Sequence, residues 1–396
     1  MNPVDRALDA FRELNDRTPQ GVWSAPGRAN LIGEHTDYND GFVLPFALPH
    51  RTAVAAAPRT DGRILVSTVG DDGRPQQAEP MVIAELAPGS PTGWASYPAG
   101  MAWVLRDVGG ADAADISGGA DLVIAGNVPA GAGLSSSAAL ECAIALALLG
   151  LAGREIGPDY AERAQIAEWA HQAENGFVGV PSGVLDQTAS MCCTEANVLF
   201  LDVRTGAAEQ VPFDAATDDL EVLIIDTRVN HALGDSEYGD RRRGCERAAE
   251  LLGVPALRDI TVDGLGEAMA KLPAELAPLV RHVVTENARV LDTVELLRAN
   301  KLAEVGPLLT LSHASLRDDY RVSAVELDVA VDAALAAGAF GARMMGGGFG
   351  GSAIALVGVD VRAEVEQRVN AAFAERGFTS PRLFTAVPSA GAGRDQ

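Results

Sequence analysis

At 396 residues the chain is longer than one hydrophobic core organises, so two domains are expected. Lysine and arginine total 31 against 54 acids, a net charge of −23, which excludes the basic face that nucleic acid or an anionic membrane requires. Hydrophobic residues make up 47% and aromatics are few, as in an ordinary α/β enzyme, and any phosphate site must be locally positive against that overall field.

Taken in chain order, residues 2–16 carry acids where a signal peptide would be basic. They read as an amphipathic helix with Val4, Leu8, Phe11 and Leu14 on one face. Residues 24–48 read as strand, broken at the hairpin signal Asn39-Asp40-Gly41, and further strands are expected at 52–57, 63–69 and 121–126. Helices follow at 136–150 and 159–175, and 183–194 is a further helical segment. Strands at 197–202 and 221–226 flank the polar stretch 214–219, where the chain passes into its second half. That half reads as helices near 238–253, 278–299, 302–316, 323–337 and 361–376, with strands near 342–346, 353–357 and 382–387, an α+β pattern. Residues 388–396 read as a loose tail. The apolar run 143–151 is too short to span a bilayer. Four cysteines without CxxC spacing are expected to be reduced, which fits a cytoplasmic enzyme.

Three segments carry the chemistry. Gly131-Ala132-Gly133-Leu134-Ser135-Ser136-Ser137 lies between a strand and a helix start, where backbone N–H groups and the helix dipole converge and attract phosphate. A P-loop needs Lys after its last glycine, but the only lysines are Lys271 and Lys301, and neither follows a glycine. The dinucleotide fingerprint needs a third glycine where Ser136 stands. What remains is a loop of amides and serine hydroxyls, with a metal ion supplying the charge that lysine usually brings. The plain alternative is a helix start that Ser135 merely caps.

The second segment, residues 27–40, sets Arg28, Asn30, Glu34, His35 and Asp37 within ten residues. Carboxylates accept from sugar hydroxyls, histidine does either and arginine donates, so the mixture suits a neutral polyhydroxyl ligand. A surface ion-pair cluster is the plain alternative, and the absence of a second histidine at ligand spacing argues against a transition metal. Glu174 falls near the end of helix 159–175, with Gly176 as its expected C-cap. The helix dipole disfavours an acid there and a bound cation would explain it. Asp186 sits in a small, apolar segment and needs a partner, for which Arg28 is the candidate. For both acids, a helix cap or a solvated side chain is the competing reading. The third segment, Gly346-Gly347-Gly348-Phe349-Gly350-Gly351, joins two short strands. Arg241, Arg242 and Arg243 read as a salt-bridged helix face with Glu237, Asp240 and Glu246. His50, His171, His231, His282 and His313 read as structural.

Together these segments resemble the GHMP small-molecule kinases. Residues 27–39 resemble the galactokinase family's motif nearly residue for residue, 127–138 the superfamily's nucleotide loop and 345–351 its third motif. The likeness extends to 235–238 and 312–319, and departs in Ala29, where valine is commoner, and Ser182, where cysteine is frequent. It implies a ribosomal-protein-like α/β N-terminal domain (1–205) and a ferredoxin-like α+β C-terminal domain (206–396), with the active site between them. It further implies ATP-dependent phosphorylation of the anomeric hydroxyl of galactose, in galactose catabolism by the Leloir pathway. Asp186 would be the base and Arg28 its electrostatic partner. Glu34, His35, Thr36, Asp37, Gly183 and Tyr238 would line the sugar site. Residues 131–137 would wrap the ATP phosphates, and Ser137 and Glu174 would hold Mg²⁺. A monomer without nucleic-acid or membrane partners is expected. Two rivals stay open: a kinase for galactosamine, N-acetylgalactosamine or arabinose, and a non-catalytic galactose sensor, which would be expected to lack part of the loop or the base.

Overall fold

The computed structural model describes residues 2–70, 72–109, 115–230 and 234–396, without the side chains of 230 and 234–236. The chain opens with helix Pro3–Asn15, started by Asn2, whose side chain accepts from Val4 N, and stopped at Asp16 in the left-handed conformation. Val4, Ala7, Leu8 and Phe11 bury against strands Pro45–Pro58 and Gly119–Gly126, whereas Leu14 is 44% exposed and lies off the expected face. The first sheet runs in the order Gly393–Arg394, Gly21–Asn30, Pro45–Pro58, Gly119–Gly126, Arg63–Val69, Pro75–Gln77, with Met81–Val82 also paired to Arg63–Val69. Its one parallel pairing joins Arg63–Val69 to Gly119–Gly126. Helices Ser96–Asp107 and Ser136–Leu151 fill the layer behind it, around Trp23, Ile144 and Leu148. Sequence reading missed Ser96–Asp107, because its small and apolar residues carry neither a cap nor a clean helical stripe.

The tail is not loose. Arg394 pairs with Trp23, and Gln396 O accepts from Val22 N, so the last residues of the chain close the edge of the first sheet. A small second sheet joins Phe42–Val43, Asn197–Asp202 and Ala207–Pro212, the last of these unexpected from its polar sequence. The third sheet has the order Gly341–Met345, Gly350–Gly358, Leu220–Asn230, Arg382–Ala386, all antiparallel, with helices Ala277–Arg298, Leu302–Ser315, Val325–Ala336 and Arg362–Glu375 around it. The mixed α/β fold expected from the sequence is present. One core cluster draws on both halves: Leu31, Ile32, Leu44 and Leu134 pack with Val222, Ile224, Met345 and Ile354. The three functional segments rest on it. Among the described residues, no helix is long and apolar enough to cross a membrane.

Candidate active site

All three segments open onto one cavity of ≈ 380 Å³. At one end, Gly131 and Gly133 (φ +72° and +71°) bend the chain into helix Ser136–Leu151. The protein takes the loop's carbonyls: Ser352 Oγ donates to Ala132 O (2.7 Å), Arg28 Nη1 to Gly133 O (2.6 Å) and Arg28 N to Leu134 O (3.1 Å). The first amides of the helix remain as donors for an anion. The third segment presses against this loop. A Cβ on Gly348 (φ +84°) would lie 2.2 Å from Val322 O, so contact requires glycine there, whereas at Gly346, where a Cβ would lie 3.2 Å from Gly133 O, it is the left-handed backbone (φ +81°) that favours glycine. Gly131, Gly133, Leu134, Ser135, Ser136 and Ser137 line the cavity; Ala132 does not, being buried behind the loop. Ser135 makes no capping bond, which sets aside the plain reading of that residue.

Its hydroxyl goes to Asp186 instead. Asp186, in the first turn of helix Leu185–Cys192, accepts Arg28 Nε (2.9 Å) and Nη2 (2.8 Å) on Oδ1 and Ser135 Oγ (2.5 Å) on Oδ2. The sugar-box strand, the glycine loop and a third helix therefore meet at one carboxylate, with Arg28 nearly buried and Asp186 28% exposed toward the cavity.

At the other end, Glu34 accepts Gly346 N (2.7 Å) and Asn30 Nδ2, and faces the fully buried Arg343, whose Nη2 is 3.5 Å away. Arg343 Nη1 in turn donates to Asn30 O and Leu31 O (3.0 and 3.1 Å). His35, at φ +61°, packs its ring 5.3 Å from Tyr238 and 4.8 Å from Tyr320. Burial first, then the nearby His282, lower its pKa to about 3, so it is neutral. Half-buried Asp37 is pushed up to about 6 by burial and by the charge of Asp186. Asp37 touches Gly183 so closely that a Cβ there would lie 1.8 Å from Asp37 Oδ2. Glu34, His35, Asp37, Gly183 and Tyr238 all line the cavity. Thr36 does not: its hydroxyl lies within hydrogen-bond reach of Gly33 O (2.9 Å) and Phe42 O (2.7 Å) and closes the loop from within.

The galactokinase galactose-binding signature matches residues 9–58, and the GHMP kinase N-terminal and C-terminal domains match 96–194 and 293–375. A galactokinase from Streptomyces coelicolor is 50% identical over 98% of this chain and 97% of its own length, and one from Mycobacterium tuberculosis is 41% identical over 93% and 98%. The chain belongs to the galactokinase family. The crystal structure of Lactococcus lactis galactokinase complexed with galactose superposes with a TM-score of 0.89 at 30% identity, over 97% of this chain and 98% of the other. A mevalonate kinase shares the fold at 17% identity, TM-score 0.63.

The fold of a galactokinase family member puts Glu174 in a π-helical turn, Ala173–Val178, that extends helix Tyr160–Gln172. The cap is Gly179 in the left-handed region, not Gly176. Glu174 Oε2 accepts Ser182 Oγ (2.5 Å) and Gln187 Nε2 (2.8 Å). Among the described residues no group of three or more His, Cys, Asp or Glu could hold a metal. Ser137 and Glu174 both line the cavity beside the glycine loop. One carboxylate and one hydroxyl fit Mg²⁺, which takes its other ligands from phosphates and water.

Of the arginine run, Arg242 and Arg243 pair with Glu246 and Asp240 as expected, whereas Arg241 turns inward to Tyr320 O (2.7 Å). His313 and His282 are buried structural residues, and His231 lies outside the described residues. The sequence reading missed the groups behind the box. Glu286 accepts from Gly33 N (3.0 Å), Asn287 from Phe42 N (2.9 Å), and His282 Nε2 lies 3.1 Å from Glu34 O. It also missed Glu141, whose pKa burial and the charge of Glu174 drive up, and which shares Gln187 Nε2 with Glu174. The available signal was a charged residue inside an apolar run, as at Arg343.

Proposed function

We propose that the chain transfers the γ-phosphoryl group of ATP to the anomeric hydroxyl of α-D-galactose, giving α-D-galactose 1-phosphate and ADP, and so feeds galactose metabolism. The observation that carries this reading is Asp186, tied at once to the sugar box through Arg28 and to the glycine loop through Ser135. Galactose lies against Glu34, His35, Asp37, Gly183 and Tyr238. The triphosphate lies on residues 131–137, along the loop and helix start. Asp186 accepts the proton of the anomeric hydroxyl as its oxygen bonds to the γ-phosphorus and the bond to the ADP oxygen breaks. Arg28 and Ser135 orient the carboxylate and leave its cavity-facing side for that proton. Ser137 and Glu174 hold Mg²⁺, which when bound neutralises charge on the phosphate oxygens.

In the same reading, residues 1–205 carry sugar and nucleotide, 206–396 complete the site, and the enzyme acts as a monomer in the cytoplasm without nucleic acid or membrane. Its four buried free cysteines are in keeping with a reducing compartment. The test is ADP release against galactose, galactosamine, N-acetylgalactosamine and arabinose, with and without Mg²⁺. Galactose is expected to give the highest kcat/KM, in a Mg²⁺-dependent reaction. Higher turnover of another sugar reassigns the substrate, and release from none points to a sensor.

A further inference from the structure

Behind His35 a row of polar groups runs away from the cavity. His35 Nδ1 lies 2.7 Å from Tyr38 Oη, Tyr38 Oη 2.9 Å from Tyr320 Oη, and Tyr320 Oη 3.1 Å from Cys245 Sγ. The row joins the sugar-box loop to turn Leu316–Tyr320 and helix Gly234–Leu252. Each hydroxyl has one proton to give, so the row points one of two ways. If it points away from His35, an imidazole N–H donates to a phenol and the last bond ends on a thiol sulfur, a weak acceptor. If it points toward His35, the thiol donates to Tyr320, Tyr320 to Tyr38, and Tyr38 to the Nδ1 lone pair. That last bond joins the better donor, a phenol, to the better acceptor, an imidazole nitrogen, so this direction is favoured. Nε2 then carries the ring's proton. It is buried and, among the described residues, has no hydrogen-bond partner, and a buried donor without one calls for a ligand.

Besides the Tyr238 hydroxyl, the side chains at this end of the cavity are chiefly acceptors. Glu34, Asp37 and Asp186 only accept when ionised, and Arg28 is already committed to Asp186 and Gly133 O. We propose that Tyr38, backed by Tyr320 and Cys245, is the positioning residue that holds His35 as the Nε2–H tautomer, so that the ring offers a sugar oxygen the donor its carboxylate neighbours lack. The last step rests on the placement of galactose beside His35.

The test is a long-range ¹H–¹⁵N correlation spectrum of full-length protein with labelled histidine at pH 7.5, with His35 assigned by loss of its signals in His35→Asn. The wild type is expected to show His35 neutral and protonated on Nε2. Tyr38→Phe should give a mixture of tautomers and raise KM for galactose about 10-fold, with kcat changed less than about 2-fold and KM for ATP unchanged. Tyr320→Phe should keep the tautomer, because Tyr38 still donates. A wild-type ring protonated on Nδ1 overturns the relay, as does a Tyr38→Phe protein whose tautomer is unmoved. The wild-type spectrum decides even if the variant fails to fold. Added galactose should shift the Nε2–H signal. A fixed Nε2–H tautomer that ignores galactose keeps the relay but overturns the donor role and the placement of His35 at the sugar.

Discussion

The two ends of the cavity are built differently. The phosphate end is a local device: two left-handed glycines, a turn and a helix start, with its carbonyls occupied so that its amides face outward chemistry. The sugar end is a loop held largely from elsewhere: the Glu34 carboxylate by Arg343 and Gly346 N, the Gly33 amide by Glu286 and the Phe42 amide by Asn287. A phosphate needs only convergent donors, which one turn supplies. A sugar needs donors and acceptors at set positions, and buried charges keep their positions only when other segments satisfy them.

The largest effect is expected where the two ends meet. Asp186→Asn should lower kcat on the order of 10³-fold while galactose still binds, checked by ADP release and calorimetric titration. Galactose-dependent ADP release at the wild-type rate would remove Asp186 from the role of base. Next, Glu34→Gln should cost about 3–5 kcal/mol of stability, since it leaves Arg343 buried without its charge partner and presents one amide to two donors. Ser136→Ala at the other end should cost less than about 1 kcal/mol and act chiefly on KM for ATP. Equal losses in urea denaturation would erase the contrast.

A third, smaller effect is in pH. His282 is held near pKa 4 by burial, against 6.5 when unfolded, so its neutral form favours the folded state above pH 6.5. That contribution is lost as pH falls from 6.5 toward 4 and amounts at most to on the order of 3 kcal/mol. The stability gap between wild type and His282→Gln should therefore be wide at pH 7.5 and narrow by pH 4.5. Asp37, raised to about 6, works the other way, losing stability as pH rises from 3.8 to 6, but it is common to both proteins and cancels in the difference. The serines and amides of the phosphate end do not titrate there. A gap that does not change with pH would place the titrating groups elsewhere. The smallest effect belongs to Arg243, exposed and paired with Asp240: Arg243→Ala should leave kcat unchanged and the melting temperature within about 1 °C. A fall in kcat would show that this helix face does more than form surface ion pairs.

Most of what lines the cavity was legible, because residues 27–40 and 131–137 are contiguous and their residue types state their chemistry. Thr36 and Ala132 belong to those segments yet miss the cavity, since adjacency in a loop does not say which way a side chain turns. The π-helical turn at Glu174 was hidden, because its one-residue insertion leaves no mark in an apolar pattern. The tail was misread for a related reason: nothing in residues 388–396 announces that an edge strand awaits them at Trp23.

The sequence by itself determined the glycine loop, the charged box, the acid at 186 and the mixed α/β order of elements, since each follows from short-range backbone preference and local residue chemistry. Only the tertiary structure decided that Ser135 joins Arg28 on Asp186, that Arg343 and Glu286 hold the box from behind, and that a row of hydroxyls and a thiol stands behind His35. Those pairings join residues about 50 to 310 positions apart, and they exist because burial leaves most of these charges and hydroxyls little water to turn to.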